Sequence, residues 1–307
     1  MSTGVYTKTF GDICRDALRD AGIVAAQLPI TQPHFQLAQS KANDVLAAWQ
    51  GLNIHLWAET EALLPLNPNQ TEYSLGVGGD HCFTEYTYTT TTAAIAAAAV
   101  VIPCATTGMS TTNFIGIALE DGTRHWSTIS SISTGVSVTI ADALPSAALS
   151  GAGIYVYSTK IDRPVRVIGG RGATTHTGDE KDLIQETRDS YFKIVNKLDT
   201  SSSINSWYYS PQLTVGKLYV WQAPEDCNQI LRFTFVKPQY VNQDQTETVL
   251  IPAEWLLAFK WAVAYELAVT YGIDPNRLIS IAQKAESSLS LALGNDEEYD
   301  SFNFQPG

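Results

Sequence analysis

Charge is scarce in this chain of 307 residues: Asp, Glu, Lys and Arg make up 16% of it, against the roughly 25% usual in globular domains. What charge there is leans acidic, with 31 Asp and Glu against 19 Lys and Arg and a net of −12. Nucleic-acid affinity comes largely from Lys and Arg displacing the counterions around phosphates, so this balance argues against a protein that grips DNA. It does not exclude a surface past which DNA slides. Cysteine is sparse too. Cys14, Cys82, Cys104 and Cys227 lie far apart with no CxxC pair, too few to staple a chain this long, and they suit free thiols in a reducing cytoplasm. The first residues carry no apolar signal-peptide core. The most apolar stretch, 93–103, is too short to cross a bilayer and ends in Pro103. These absences predict cytoplasmic synthesis and no membrane partner.

Catalytic signatures are missing as well. His34, His55, His81, His125 and His176 have no metal-ligand spacing. His81-Cys82 next to Asp80 has the residue types of a metal site or nucleophile pair, but no second Cys/His pair accompanies it, so a solvated loop is expected. Gly169-Gly-Arg-Gly172 looks superficially like a phosphate-cradling loop, yet no Lys-Ser/Thr follows and no helix begins there. GxSxG, HExxH and GxGxxG do not occur. The carboxylate pairs Glu225-Asp226 and Glu297-Glu298 sit in polar stretches where solvated surface is the default. The expectation is a protein without catalytic residues, metal or cofactor.

What is present is a clear succession of patterns. Thr9 is a plausible N-cap, Phe10, Ile13, Cys14, Ala17, Leu18 and Ala21 recur at helical spacing, and Gly22 follows as a C′ glycine. A second run, Phe35 to Trp49, closes at Gly51. From Pro65 onward strands dominate: Asn113–Leu119, Trp126–Ile132, Val136–Ile140 and Ile154–Tyr157, with Asp121-Gly122 as a hairpin turn. Further strands are expected at Pro164–Ile168, Trp207–Tyr209, Lys217–Trp221 and Ile230–Val236, with 169–182 as a loop. Helices return at Pro252, ending at Gly272, and at Asp274-Pro275, ending at Gly294.

The predicted fold is therefore α+β. Four helices from the two chain ends (1–62 and 251–294) form a platform, packed around aromatics such as Trp49, Trp57, Trp255 and Phe259. A β hub (63–87 and 159–250) and an inserted small β sandwich or barrel (88–158) lie between them, and 295–307 is an extended acidic tail. Glu266, on an apolar helix, either faces outward or forms a buried ion pair with Arg15 or Arg19. Trp207, Tyr208, Tyr209, Tyr219 and Trp221 are core and cross-strand pairs, or else a sugar-stacking or protein-binding platform. Tyr299, Phe302 and Phe304 in the tail are either anchors for a partner or part of a disordered end.

The stretch from Gly11-Asp-Ile-Cys-Arg-Asp-Ala-Leu-Arg-Asp-Ala-Gly-Ile23 to Ala47-Ala-Trp-Gln-Gly-Leu-Asn-Ile-His-Leu-Trp57 resembles the N-terminal helices of the P22-like head-to-tail adaptors of tailed bacteriophages. Ala262-Val-Ala-Tyr-Glu-Leu-Ala-Val-Thr-Tyr-Gly-Ile273 and the Ala-rich helix after it look like the family's second helical pair. The middle is similar to its larger members: Gln70-Thr-Glu-Tyr-Ser-Leu-Gly76, Arg163-Pro164, Tyr208-Tyr-Ser-Pro211 and Gly216-Lys-Leu-Tyr-Val-Trp221. The segment from Tyr88 to Ser158 has no counterpart in the smallest members. The resemblance implies a ring of twelve copies beneath the portal protein, continuing the DNA channel and offering a platform to tail tube, nozzle or tail-fibre proteins. Double-stranded DNA would pass without sequence-specific binding, and the C-terminal tail, with Tyr299, Phe302 and Phe304, would reach the portal. The protein would be assembled in the host bacterial cytoplasm and end in the virion. A tail tubular or gatekeeper protein of the same particle, and a carbohydrate-binding β module on a helical anchor, are the alternatives.

Overall fold

The computed structural model describes residues 8–25, 27–51, 59–238, 246 and 251–295. The chain is an α+β protein whose contacts divide it into two units, Met1–Ala58 with Gln239–Gly307, and Glu59–Pro238.

The first unit is helical, with α1 (Phe10–Asp20), α2 (Gln32–Gly51), α4 (Ala253–Tyr271) and α5 (Pro275–Asn295). The Thr9 hydroxyl accepts the Asp12 N–H at 3.2 Å and starts α1. Gly272, at φ +61°, ends α4 in the left-handed conformation that glycine adopts without a Cβ clash. Asp274 Oδ1 accepts the Asn276 N–H at 2.9 Å, so Asp caps α5 and Pro275 takes the first helical position, where no N–H is needed. The four helices share one apolar core: Phe10 and Ile13 of α1, Phe35 and Trp49 of α2, Trp255, Phe259 and Leu267 of α4, and Ile281 of α5 are all buried. α4 is apolar over most of its circumference and packs against the other three, as a helix without a polar face must.

The second unit holds sixteen strands and the short helix α3 (Arg188–Lys193) among the described residues. β1 (Glu59–Pro65) pairs along its whole length with β16 (Ile230–Val236), so residues 59–62, expected with the helices, belong to the sheet. β16 pairs in turn with β9 (Arg166–Ala173), and β9 with β10 (Glu180–Asp182). A second sheet runs β11 (Ile184–Gln185), β13 (Ser206–Ser210), β14 (Gly216–Trp221), β2 (Glu72–Leu75), and a small parallel pair joins β12 (Thr200–Ser201) to β15 (Ala223–Pro224). Tyr73, Trp207, Leu218 and Phe233 fill the core of these sheets. Each such fully buried side chain contributes about 1.5–3 kcal/mol of apolar transfer.

The expected loop at 169–182 is strand at both ends: 169–173 continue β9, and 180–182 form β10. Gly169, Gly170 and Gly172 look like loop residues in sequence, but the Trp207 ring packs on Gly170, where a Cβ would lie 2.9 Å from Nε1. Here glycine makes room for a tryptophan from another strand.

Between β2 and β9 lies a six-stranded antiparallel sheet: β3 (Thr87–Thr90), β8 (Gly153–Tyr157), β5 (Phe114–Ala118), β6 (Arg124–Ser133), β7 (Ser137–Ile140), β4 (Val101–Pro103). An antiparallel bridge from Thr91 to Cys104 brings its two ends together, and Ile102, Ile115, Ile117, Val138 and Val156 fill the inside. Gly122, at φ +81°, turns the β5–β6 hairpin at the expected Asp121-Gly122. A separate aromatic layer of Phe83, Tyr155 and Tyr157 with Tyr86, Tyr88, Phe114 and Trp126 packs this sheet against Leu63, Ala173 and Ile230.

Candidate functional site

Of the expected platform aromatics, the fold brings three together. Trp49 lies 5.4 Å from Trp255 and 5.9 Å from Phe259, both edge to face. All three are buried, so they act chiefly by holding the helices together. Trp57, Tyr299, Phe302 and Phe304 lie outside the described residues.

The expected pair between Glu266 and an arginine is not formed among the described residues. Arg15 is exposed and bound to Asp12 at 2.7 Å, and Arg19 is half-buried beside it on α1. The charged link between α1 and α4 is instead Lys260 to Asp20, at 2.6 Å. Glu266 is six residues beyond Lys260, about 240° further round the helix and so about 120° apart from it, on the side away from α1. It lines an apolar groove of ≈ 420 Å³ between α2, α4 and α5. Ala262, Ala282 and Ala285 make the groove shallow-walled and smooth, while Asp44, Glu266 and Glu286 place carboxylates along it. An apolar groove with charged margins suits a protein segment better than a small polar substrate.

The cysteines, His81, Asp80 and Arg171 are packed or bonded. Cys14, Cys82, Cys104 and Cys227 are free thiols and buried. Burial pushes Cys14 up to about 12 and Cys82 well above its ordinary value, so neither is a thiolate at neutral pH. His81, expected in a solvated loop, is stacked on Trp126 at 3.9 Å and bonded through Nδ1 to the Tyr157 hydroxyl at 2.5 Å. Burial lowers its pKa to about 3, with repulsion from Lys160 adding to the effect, so it stays neutral. Asp80 accepts the Ser74 N–H at 2.7 Å. Arg171, the charge of the Gly169–Gly172 motif, pairs with Glu61 at 2.6 Å and Glu180 at 2.8 Å, leaving no open phosphate cradle. No group of three His, Cys, Asp or Glu among the described residues is placed to hold a metal ion.

The aromatic strands divide between interior and surface. Trp207 is buried, Tyr208 and Tyr219 stack as a cross-strand pair at 5.8 Å, and Trp221 donates from Nε1 to the Asn196 carbonyl at 3.0 Å. Phe192 of α3, which the sequence pattern did not flag, extends this cluster outward at 48% exposure, beside Val195 and Leu198. No described helix is long and apolar enough to cross a membrane. No protein-family model matches the chain, and no curated protein sequence matches it.

Proposed function

We propose that this chain is a structural head-to-tail adaptor subunit of a tailed bacteriophage. It forms a ring of about twelve copies below the portal, by resemblance to the P22-like adaptors, continues the DNA channel and carries the tail attachment platform. In this reading the helices from the two chain ends are the oligomerising platform, and the protein resides at the head–tail junction of the virion. The acidic balance serves the channel, because a wall that repels phosphate lets DNA pass without sticking.

What supports the reading is one arrangement. Helices before and after a long β unit share a single core, in the chain order that the resemblance implies. The groove beside that core, with its apolar floor and carboxylate margins, is a surface suited to a neighbouring subunit.

Sedimentation of the purified chain with portal rings tests this. The full chain should co-sediment with portal, and deletion of 295–307 should abolish this while leaving circular dichroism unchanged. A chain that stays monomeric and indifferent to portal would overturn the proposal.

A further inference from the structure

Arg124 is the single Lys or Arg between residues 67 and 158, a stretch with six acidic side chains. Despite that setting it is buried, at 8% exposure, and no carboxylate among the described residues lies within ion-pairing distance of it. Asp226, close enough for its charge to be felt, is engaged by the Asn228 N–H at 2.8 Å.

The guanidinium has five N–H donors. Nη2 donates to the Cys227 carbonyl at 2.7 Å, while Nη1 reaches the Gly116 and Gly153 carbonyls only at 3.4 Å, the outer limit of hydrogen bonding. Nε is buried without a partner. The Tyr155 ring, 4.8 Å from Cζ, stabilises the cation without neutralising it. A buried charge lacking a counter-charge is costly, and an unpartnered buried donor is accounted for by strain, by ordered water or by an ion bound close to it.

Arg124 lines a cavity of ≈ 390 Å³, within the range of small-molecule sites. It lies at the seam where the start of β8 meets the segment after β9, and its lining contains no acidic side chain. Ser150, Thr175 and Asn228 stand at its exposed rim with hydroxyl and amide groups. In a chain of net charge −12, a cavity walled by arginine and free of carboxylates selects for negative charge.

We propose that this cavity binds a small oxyanion, a carboxylate or a phosphate, with Arg124 supplying the charge and Ser150 and Asn228 supplying further hydrogen bonds at the rim. The site belongs to the inserted sheet and its seam, and does not depend on the assembly reading.

The test is titration of the full chain with citrate and, separately, inorganic phosphate, following the Arg124 Nε–H resonance by NMR. That resonance is assigned as the one lost in Arg124→Lys. A saturable shift absent from chloride at equal ionic strength is expected. With citrate alone it identifies a carboxylate site, with phosphate alone a phosphate site, and with both a general oxyanion site. Ser150→Glu, at an exposed position, supplies a carboxylate from the chain itself and should abolish the shift. Binding to Arg124→Lys, followed by calorimetry, should weaken about tenfold or more as the planar donor edge is lost. No saturable shift with either anion, or the same shift in Ser150→Glu, would overturn the proposal.

Discussion

The indole of Trp49 meets that of Trp255 edge to face, with ring centroids 5.4 Å apart and planes at 65°. One belongs to the N-terminal helices and the other to the C-terminal pair, so this contact ties the two ends of the chain into one core. Truncating Trp255, which is fully buried, removes a large apolar surface and leaves a cavity. Trp255→Ala should cost about 3–5 kcal/mol of the helical unit's stability. Circular dichroism at 222 nm on heating measures it, and a loss below about 1 kcal/mol would contradict this role for Trp255.

His81 makes stability depend on pH. Its folded pKa is about 3, against an ordinary 6.5, so the unfolded chain takes up a proton well before the folded protein does. The contribution is complete above pH 6.5 and is lost as pH falls from 6.5 towards 3. His176 is lowered too, by burial and by Arg232, and acts in the same direction. The urea midpoint should therefore drop between pH 7.5 and pH 4.5. His81→Phe, which keeps a ring over Trp126, should reduce that drop; an equal drop in both proteins would refute the assignment.

The four thiols give a third expectation. All are buried, and burial disfavours each thiolate. In the native protein they should react with a thiol reagent only slowly, and fully once denaturant is added. Rapid stoichiometric labelling without denaturant would contradict the packing described for Cys14 and Cys82.

Filling the groove between α2, α4 and α5 separates folding from assembly. Ala285 is half-buried on its wall, so Ala285→Trp should change monomer stability by no more than about 1 kcal/mol. Ring formation, measured by light scattering, should be lost. Normal rings in this variant would remove the groove from the proposed subunit contact.

Most helix ends were legible in the sequence because their signals are local, although α5 runs through Gly294, expected as its end, to Asn295. Thr9, Gly22, Gly272 and Asp274-Pro275 each act through backbone groups within a few residues. The hairpin at Asp121-Gly122 was legible for the same reason. The glycine-rich second half of β9 was not, since the meaning of Gly170 depends on Trp207 from another strand, while the strand expected at Pro164–Ile168 covers its start. α3, six residues long, is too short to show a helical period, and its Thr187 cap stands in a polar stretch. The pairing of Arg15 with Asp12 in preference to Glu266 follows from how α1 lies on α4, which periodicity alone does not give. The Arg124 cavity forms where β8 meets the segment after β9, so only the composition around Arg124, and not its burial, was visible in the chain.

The most direct test of the adaptor reading is electron microscopy of the purified chain mixed with tail-less, portal-bearing heads. The account predicts a ring of density seated on the portal vertex and coaxial with its channel, in which the helical unit lines subunit–subunit contacts. Heads whose portal vertex stays bare at saturating protein, with the chain remaining monomeric in solution, would contradict it.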